Sequence, residues 1–170
     1  RRLDRNEIGL LPQVAFARAL VQLPGTALRM PLPQFQNVAL GNPAIAHIAT
    51  CANDVMMTNL QQAAACNAVH SAEARLARWL LHAQDRYPSD TLPLTQEFMA
   101  QMLGVRRTTV SLIAGAMEER GLLKYQRGKV HIVDRPGVAR MACSCYEIVK
   151  GNIDKIIELA KRAKDAPGSN

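Results

Sequence analysis

The polar side chains at positions 106–111 are the first candidates for chemistry in this sequence. They are Arg106, Arg107, Thr108, Thr109 and Ser111. A guanidinium can donate two hydrogen bonds to the O6 and N7 atoms of guanine, and hydroxyl groups can donate to phosphates. Thr95 precedes this group, and Arg127 and Lys129 follow it with the same capacity to bind phosphates. These residue types predict recognition of double-stranded DNA.

Residues that could make or break covalent bonds are not arranged as an active site. The sequence shows no acid–base pair, no nucleophile triad and no phosphate-binding loop. His70 and His82 do not belong to an H-E-x-x-H motif, so neither is assigned a catalytic role. We therefore expect a protein that is not an enzyme.

The cysteines raise the separate question of a metal or redox site. They are Cys51, Cys66, Cys143 and Cys145, and none of them forms a C-x-x-C motif. The close pair in Cys143-Ser144-Cys145 could ligate a metal ion or sense oxidation together with His131 or His70. Reduced thiols on helix faces are the favoured alternative, because buried cysteines are common and usually inert. We expect no bound metal and no cofactor.

Residues 94–123 must position the polar group. Thr95 is predicted to cap a first helix, and Gly104 is predicted to end it with a positive φ. A second helix then buries residues with i, i+3, i+4, i+7 spacing, and Gly121 closes it. The buried residues are Val110, Ile113, Ala114 and Met117. This spacing is typical of a DNA-binding helix-turn-helix. The alternative is an ordinary pair of helices whose arginines only face solvent.

The segments on either side predict a winged helix at residues 71–140. Ser71 is a good N-cap for a preceding helix, which buries Leu76, Trp79, Leu80 and Ala83. Residues 122–133 form two short strand patterns separated by Arg127-Gly128, which is the pattern of a β-hairpin. This hairpin is the wing. Arg127 and Lys129 at its tip are placed to bind phosphates, which set position without reading sequence.

Residues 43–70 predict one long helix. Steps of three and four residues connect Ile45, Ile48, Ala52, Val55, Asn59, Gln62, Cys66 and Val69. A helix of this length exceeds what a small domain needs internally, so pairing with a second copy explains it best. Asn59 could set the register of such a pair. The alternative is a monomeric helix that lies on the N-terminal segment.

The two ends of the chain carry weaker patterns. Residues 14–23 and 27–30 predict two strands joined by a turn at Pro24-Gly25. After the wing, Pro136-Gly137 is predicted to end the domain. Helices are then expected at 141–150 and 153–164, with a break at Gly151 and Asn152 as N-cap. Residues 166–170 are expected to form a disordered tail.

Charge is concentrated around the winged helix. The 170-residue chain has a formal net charge of +7 and a sequence pI of about 9.6. Residues 104–140 contain eight Lys and Arg against three acidic residues, as expected for a polyanionic partner. We see neither an apolar run of membrane-spanning length nor a signal peptide, so we expect a cytoplasmic location without membrane association.

These elements, in this order, resemble the Crp/Fnr family of bacterial transcription regulators. HSAEARLARWLLHAQDRY is similar to the first helix of the family's DNA-binding domain. LTQEFMAQMLGVRRTTVSLIAGAMEERGLL is similar to its helix-turn-helix and KYQRGKVHIVD to its wing. The resemblance implies that the long helix makes a dimer and that an N-terminal β-roll senses a ligand. It also implies that Arg107 is the base-reading arginine, whereas Thr108 and Leu112 replace the family's frequent Glu and second Arg.

The N-terminal residues resemble only part of the family's phosphate-binding cassette. Glu7, in Asn6-Glu7-Ile8-Gly9-Leu10, and Ala19 match it, but Ala17-Arg18 stand where the family has Arg-Ser/Thr. The earlier strands of the roll are absent, so we expect an N-terminal truncation without a complete cyclic nucleotide site. The cysteines that hold an iron–sulfur cluster in some relatives precede the roll, so none of the four cysteines here inherits that role.

The sequence therefore predicts an α+β, mostly helical protein with four regions. They are a β-roll remnant at 1–42, a dimerisation helix at 43–70, a winged helix-turn-helix at 71–140, and C-terminal helices with a tail at 141–170. The predicted function is sequence-specific binding of a near-palindromic operator as a homodimer, with RNA polymerase as a further candidate partner. The alternative function is a dimerisation or protein-interaction module that has lost operator binding.

Overall fold

The structure, a computed structural model, describes residues 20–164. The elements in this range are α1 (Leu32–Gly41), α2 (Pro43–Val69), α3 (Ala72–Gln84), β1 (Thr91–Leu92), α4 (Gln96–Leu103), α5 (Arg107–Glu119), β2 (Leu123–Gln126), β3 (Lys129–Ile132), α6 (Arg135–Met141) and α7 (Cys145–Lys164). The chain divides into two compact units, one of which is Gln62–Ile148. The prediction of a mostly helical α+β protein is confirmed.

The Gln62–Ile148 unit has an apolar core that holds the winged helix together. Helices α3, α4 and α5 and the strands all contribute fully buried side chains, including Leu76, Leu80, Leu81, Leu92, Leu94, Met99, Val110, Met117, Leu123 and Val130. Burial of one such side chain stabilises the fold by about 1.5 to 3 kcal/mol. The Ser71 hydroxyl caps α3 by accepting from the Ala74 amide at 3.2 Å, as predicted.

The wing is part of a three-stranded antiparallel sheet with strand order β1-β3-β2. Arg127 and Gly128 connect β2 to β3 with φ angles of 49° and 75°. Two successive positive φ values are typical of a two-residue type I′ turn, whose twist matches that of the strands. The predicted hairpin is confirmed. Strand β1 was not predicted, because two residues carry too little pattern to identify a strand.

Helix α6 corrects the prediction that Pro136-Gly137 ends the domain. The Asp134 carboxylate accepts a hydrogen bond from the Gly137 amide at 2.9 Å, and Pro136 lies in the first turn of the helix. Proline is favoured there because the first amides of a helix have no intrahelical partner. The Pro-Gly pair therefore begins a helix after an acidic N-cap.

Gly137 should tolerate no side chain, because a Cβ atom there would overlap the Asp134 carboxylate and the Leu122 side chain. We expect Gly137→Ala to lower the free energy of unfolding by about 1 to 3 kcal/mol. Gly115→Ala is the matched control, since a Cβ at that helical position meets nothing within 4 Å. It should raise stability by up to about 1 kcal/mol. Urea denaturation of both variants tests this pair, and an equally stable Gly137→Ala protein would contradict it.

Helix α7 corrects two further predictions. Its start at Cys145 is four residues later than expected, because the backbone is extended at Ala142. The predicted break at Gly151 is also wrong, since the helix continues to Lys164. One interior glycine costs only about 1 kcal/mol relative to alanine, whereas a second helix would require a new nucleation step.

The N-terminal segment differs most from the prediction. Residues 20–31 contain no strand, so the expected strand at 27–30 is wrong, and α1 follows with proline in its first turn. An extended segment needs a neighbouring strand for its backbone hydrogen bonds, and the described residues supply none here. Most of the 14–23 segment, the cassette-like residues and the 166–170 tail lie outside the described residues.

Helix α2 confirms the predicted long helix. It contains 27 residues, which corresponds to roughly 40 Å at 1.5 Å per residue. Asn42 begins it by accepting hydrogen bonds from the amides of Ala44 and Ile45 at 3.1 and 3.3 Å. None of the helices in the described range combines the length and apolar character needed to cross a bilayer.

Candidate nucleic-acid interface

Helices α4 and α5 are held in helix-turn-helix geometry by local interactions. The Thr95 hydroxyl accepts from the Phe98 amide at 3.1 Å and caps α4. Gly104 ends α4 with a φ of 65°, and the Val105 amide then donates to the Ala100 carbonyl at 3.1 Å. Gly121 follows α5 with a φ of 69°. These three predicted roles are confirmed, and together they place the N-terminus of α5 at the surface.

Helix α5 has one face in the core and the opposite face in solvent. Val110, Ala114 and Met117 are buried, and Ile113 is half-buried. Arg107, Thr108 and Leu112 are exposed on the other side, with Leu112 77% exposed. An exposed leucine at the centre of a helix that also carries polar residues offers an apolar surface to an external partner.

Most of the residues predicted to bind DNA lie at the surface. Thr95, Arg106, Arg107, Thr108, Arg127 and Lys129 are exposed, whereas Thr109 and Ser111 are half-buried. The Ser111 hydroxyl lies 2.7 Å from Gln96 Oε1 and 3.1 Å from the Arg107 carbonyl oxygen. Its single proton therefore has acceptors within the protein. Ser111 is placed to join α5 to α4, and its role in binding DNA remains a prediction.

The wing tip lies beside the N-terminus of α4. A Cβ atom on Gly128 would be 3.4 Å from the Thr95 methyl group, so the turn and the cap lie against each other. Arg127 and Lys129 flank this glycine and are both exposed. Thr95, Arg127 and Lys129 consequently form one polar surface, which we call the wing-tip surface.

Tyr125 and Gln96 connect the wing to both helices. The Gln96 amide donates to the Tyr125 hydroxyl oxygen at 3.1 Å, and the Tyr125 amide donates to Glu118 Oε1 at 3.3 Å. The predicted site does not include these two positioning residues. Tyr125 and Gln96 are 29 positions apart, and no local pattern indicates that such a pair will meet.

The arginines of this surface differ from those elsewhere in the unit. Within the described residues, Arg120, Arg135 and Arg140 form ion pairs with Glu73, Asp85 and Asp134. Arg106, Arg107, Arg127 and Lys129 form no ion pair in that part of the chain. Four exposed cations without an acidic partner leave a positive surface available to an external anion.

Comparison with known proteins identifies the domain that carries this surface. Residues 74–141 match the Crp-like helix-turn-helix domain family. FixK2 from Bradyrhizobium japonicum is similar in fold, with a TM-score of 0.62 and 14% identity over 66% of this chain and 59% of FixK2. A CooA mutant from Carboxydothermus hydrogenoformans is also similar in fold, with a TM-score of 0.57 and 22% identity. The match covers 66% of this chain and 55% of the CooA chain.

A third protein, a Crp/Fnr family regulator from Eubacterium rectale, has a TM-score of 0.53 and 20% identity. The match covers 65% of this chain and 51% of that protein. The chain thus spans between 51% and 59% of the length of these three structures. No curated protein matches the sequence.

The fold and the exposed basic surface define a winged helix-turn-helix protein. Residues 74–141 are a Crp-like helix-turn-helix domain. The resemblance to the Crp/Fnr family inferred from the sequence is confirmed.

Proposed function

We propose that this protein is a transcription regulator that binds duplex DNA with α5 in the major groove. The observation that carries the proposal is the set of exposed cations without acidic partners on α5 and the wing, namely Arg106, Arg107, Arg127 and Lys129. Phosphates are the abundant anions of duplex DNA, and two separated basic elements can bind its backbone on both sides of a groove.

The two basic elements have different roles in this proposal. Arg107 lies at the first position of α5, where residues of a recognition helix meet base edges, and it reads guanine through O6 and N7. The wing-tip surface binds phosphates and sets the register of the domain on the duplex. Arg106 and Thr108 flank Arg107 and bind backbone or base atoms from the same helix end.

Leu112 lies one helical turn after Thr108 on the exposed face of α5. It therefore extends the part of α5 that we propose contacts the bases. An exposed apolar side chain on a recognition helix suits the 5-methyl group of thymine. We expect replacement of that thymine by uracil to weaken binding roughly fourfold per half-site, since one buried methylene contributes about 0.8 kcal/mol. Leu112→Ala should remove that difference. Titration of both proteins against thymine and uracil operators tests this, and equal binding of the two operators by wild type would contradict it.

Helix α2 supports a homodimer in this proposal. Ile48 is apolar and 59% exposed, Ala52 is exposed and Val55 is half-buried, and all three belong to the predicted seam. A second copy would cover this stripe, and residues 45–59 of the predicted seam remain available for it. Gln62 and Cys66 instead bond to residues within the Gln62–Ile148 unit, so the C-terminal part of the seam is used internally. Asn59 bonds the Val55 carbonyl of its own helix at 2.8 Å.

A dimer would present two α5 helices to successive major grooves about 34 Å apart, which requires a near-palindromic operator. RNA polymerase is a further proposed partner, by analogy with bacterial regulators of this type. The alternative function is an interaction module that keeps the fold without operator binding. Its exposed arginines would then have no sequence-dependent partner.

Selection of bound sequences from a pool of random DNA duplexes distinguishes the operator-binding regulator from the interaction module. The full chain should enrich a motif with two inverted half-sites whose centres are about one helical turn apart. A variant in which Arg107 and Lys129 are both alanine is the matched control, and it should bind all duplexes more weakly and lose the preference at one base pair in each half-site. Failure of the wild-type chain to enrich any sequence would favour the interaction module.

A further inference from the structure

Three cysteines and one histidine converge within the Gln62–Ile148 unit. Cys66 and His70 lie at the C-terminal end of α2, and Cys143 and Cys145 lie where α6 connects to α7. The three thiol sulfurs and a ring nitrogen of His70 all lie within 4.8 Å of one another. The three cysteines are buried and His70 is half-buried. This set does not belong to the DNA-facing surface.

The geometry points to a binding site for a single zinc ion, and we propose that Cys66, His70, Cys143 and Cys145 are its four ligands. Zinc in structural sites is tetrahedral, with Zn–S near 2.3 Å and Zn–N near 2.0–2.1 Å, so neighbouring ligand atoms are roughly 3.5 to 3.8 Å apart. The Cys66 and Cys143 sulfurs are 3.5 Å apart. The Cys145 sulfur is 3.5 Å from His70 Nδ1. Both distances match edges of such a tetrahedron.

The backbone explains why the two pairs meet. Cys66 and His70 are four residues apart at the end of a helix, and the His70 amide donates to the Cys66 carbonyl at 3.0 Å. Both side chains therefore lie on one face. The extended backbone at Ala142 interrupts the helical path after α6, and the Tyr146 amide donates to the Cys143 carbonyl at 3.0 Å. This turn directs two cysteines separated by one residue toward the same point.

The surroundings suit a zinc site with three thiolates. Such a site has a net charge of −1, because three thiolates exceed the ion's two positive charges. Gln62 Nε2 donates to the Cys145 sulfur at 3.0 Å. Gln62 would not bind the ion itself, but this hydrogen bond would orient the Cys145 ligand. Burial opposes ionisation of Cys145, but hydrogen bonds from Gln62 and neighbouring thiols and the positive charge of Arg78 lower its pKa. The positive charge of Arg78 would also offset part of the site's excess negative charge.

Cys143 has the opposite shift. Burial and the adjacent Cys66 and Cys145 thiols raise the pKa of Cys143 to about 12. Because thiols coordinate zinc as thiolates, binding of the ion at this site would release protons.

A disulfide bond between Cys66 and Cys143 is the alternative to a metal ion at this cluster. It requires a sulfur–sulfur distance near 2.05 Å, well below the observed 3.5 Å, and it leaves Cys145 and His70 without a role. A mononuclear ion uses all four groups, whose ligand atoms already lie within 4.8 Å of one another. Four protein ligands leave no open position, which is the arrangement of structural rather than catalytic zinc.

The site would link segments that are far apart in sequence. Cys66 and Cys143 are 77 positions apart and lie near the two ends of the Gln62–Ile148 unit. An ion bound to both pairs would hold the end of α2 against the start of α7. The sequence-based expectation of no metal rested on the absence of a second ligand pair, and Cys66 with His70 supplies that pair.

Elemental analysis of the full chain, purified without chelators, tests the proposal directly. We expect about one zinc per chain, since the four ligands complete a single tetrahedral site. Cys66→Ser and Cys145→Ser should each lose the ion. The matched controls are Cys51→Ser and His47→Ala, because Cys51 and His47 form a similar pair at 3.6 Å on α2 but belong to no four-ligand cluster within residues 20–164. Both controls should retain zinc. Retention of zinc by both cluster variants would overturn the assignment.

Cobalt substitution of the wild-type chain decides the question even if the cluster variants do not fold. The stripped protein with one equivalent of Co²⁺ should show thiolate-to-metal charge transfer and the intense visible bands of tetrahedral cobalt. His70→Cys should keep the metal and shift those bands, since a fourth thiolate replaces an imidazole. Cobalt spectra without thiolate bands, or a mass decrease of two hydrogens with Cys66 and Cys143 in one cross-linked peptide, would refute the zinc site.

Discussion

Arg107→Ala is expected to weaken binding to the selected operator by about 1 to 3 kcal/mol per half-site while leaving non-specific affinity mostly intact. The guanidinium lies at the exposed start of α5, where it can donate to both guanine acceptors. Alanine removes these hydrogen bonds to the base but leaves most phosphate interactions in place. The preference for one base pair in each half-site should therefore relax.

Lys129→Ala provides the contrast, because this exposed side chain lies on the wing, where we propose that it binds phosphates. It should weaken all duplexes alike. The slope of log affinity against log salt should fall in magnitude by about one for each phosphate that the variant no longer neutralises, or about two for a dimer. Titration of both variants against operator and scrambled duplex at several salt concentrations distinguishes the two effects. An unchanged sequence preference in Arg107→Ala would show that α5 does not read bases as proposed.

The second large effect concerns the proposed dimer. Ile48→Asp combined with Val55→Asp should convert the chain to a monomer, because two carboxylates per helix would face their copies in an apolar interface. Operator affinity should fall steeply as well, since each half-site would then bind alone. Sedimentation measures the first effect and operator titration the second.

The matched control is Thr50→Asp with Met57→Asp. Both positions are exposed and are displaced by two residues from the tested pair, which moves them to the opposite face of α2. Charge and spacing are the same in the two double variants. The control should remain dimeric. A wild-type chain that sediments as a monomer at tens of micromolar would remove the basis for the dimer.

The helix-turn-helix and the wing were predictable because their determinants are local. Thr95 bonds an amide three residues away, and Gly104 and Gly128 occupy backbone conformations that other residues adopt at a cost. The apolar face of α5 follows from helical periodicity alone. Candidate residues such as Arg107 could then be placed on the exposed face before any tertiary interaction was known.

Prediction and structure differ where a local pattern allows more than one outcome. Pro136-Gly137 is a pattern that predicts the end of a domain, yet the Asp134 carboxylate before it makes the same pair a helix start. Gly151 predicts a break, but the residues on both sides favour a helix enough to continue through it. The strand expected at 27–30 has a suitable composition, but no strand pairs with it in the described residues.

The sequence by itself determined the elements whose interactions span three to nine residues, namely the helix caps, the glycine turns, the wing hairpin and the apolar helix faces. Only the tertiary structure decided which distant segments meet. Tyr125 meets Gln96, β1 pairs with β3, and Cys66 and His70 meet Cys143 and Cys145. The physical reason is that burial and packing of the whole core bring these segments together, and no short-range spacing encodes which distant partner each one finds.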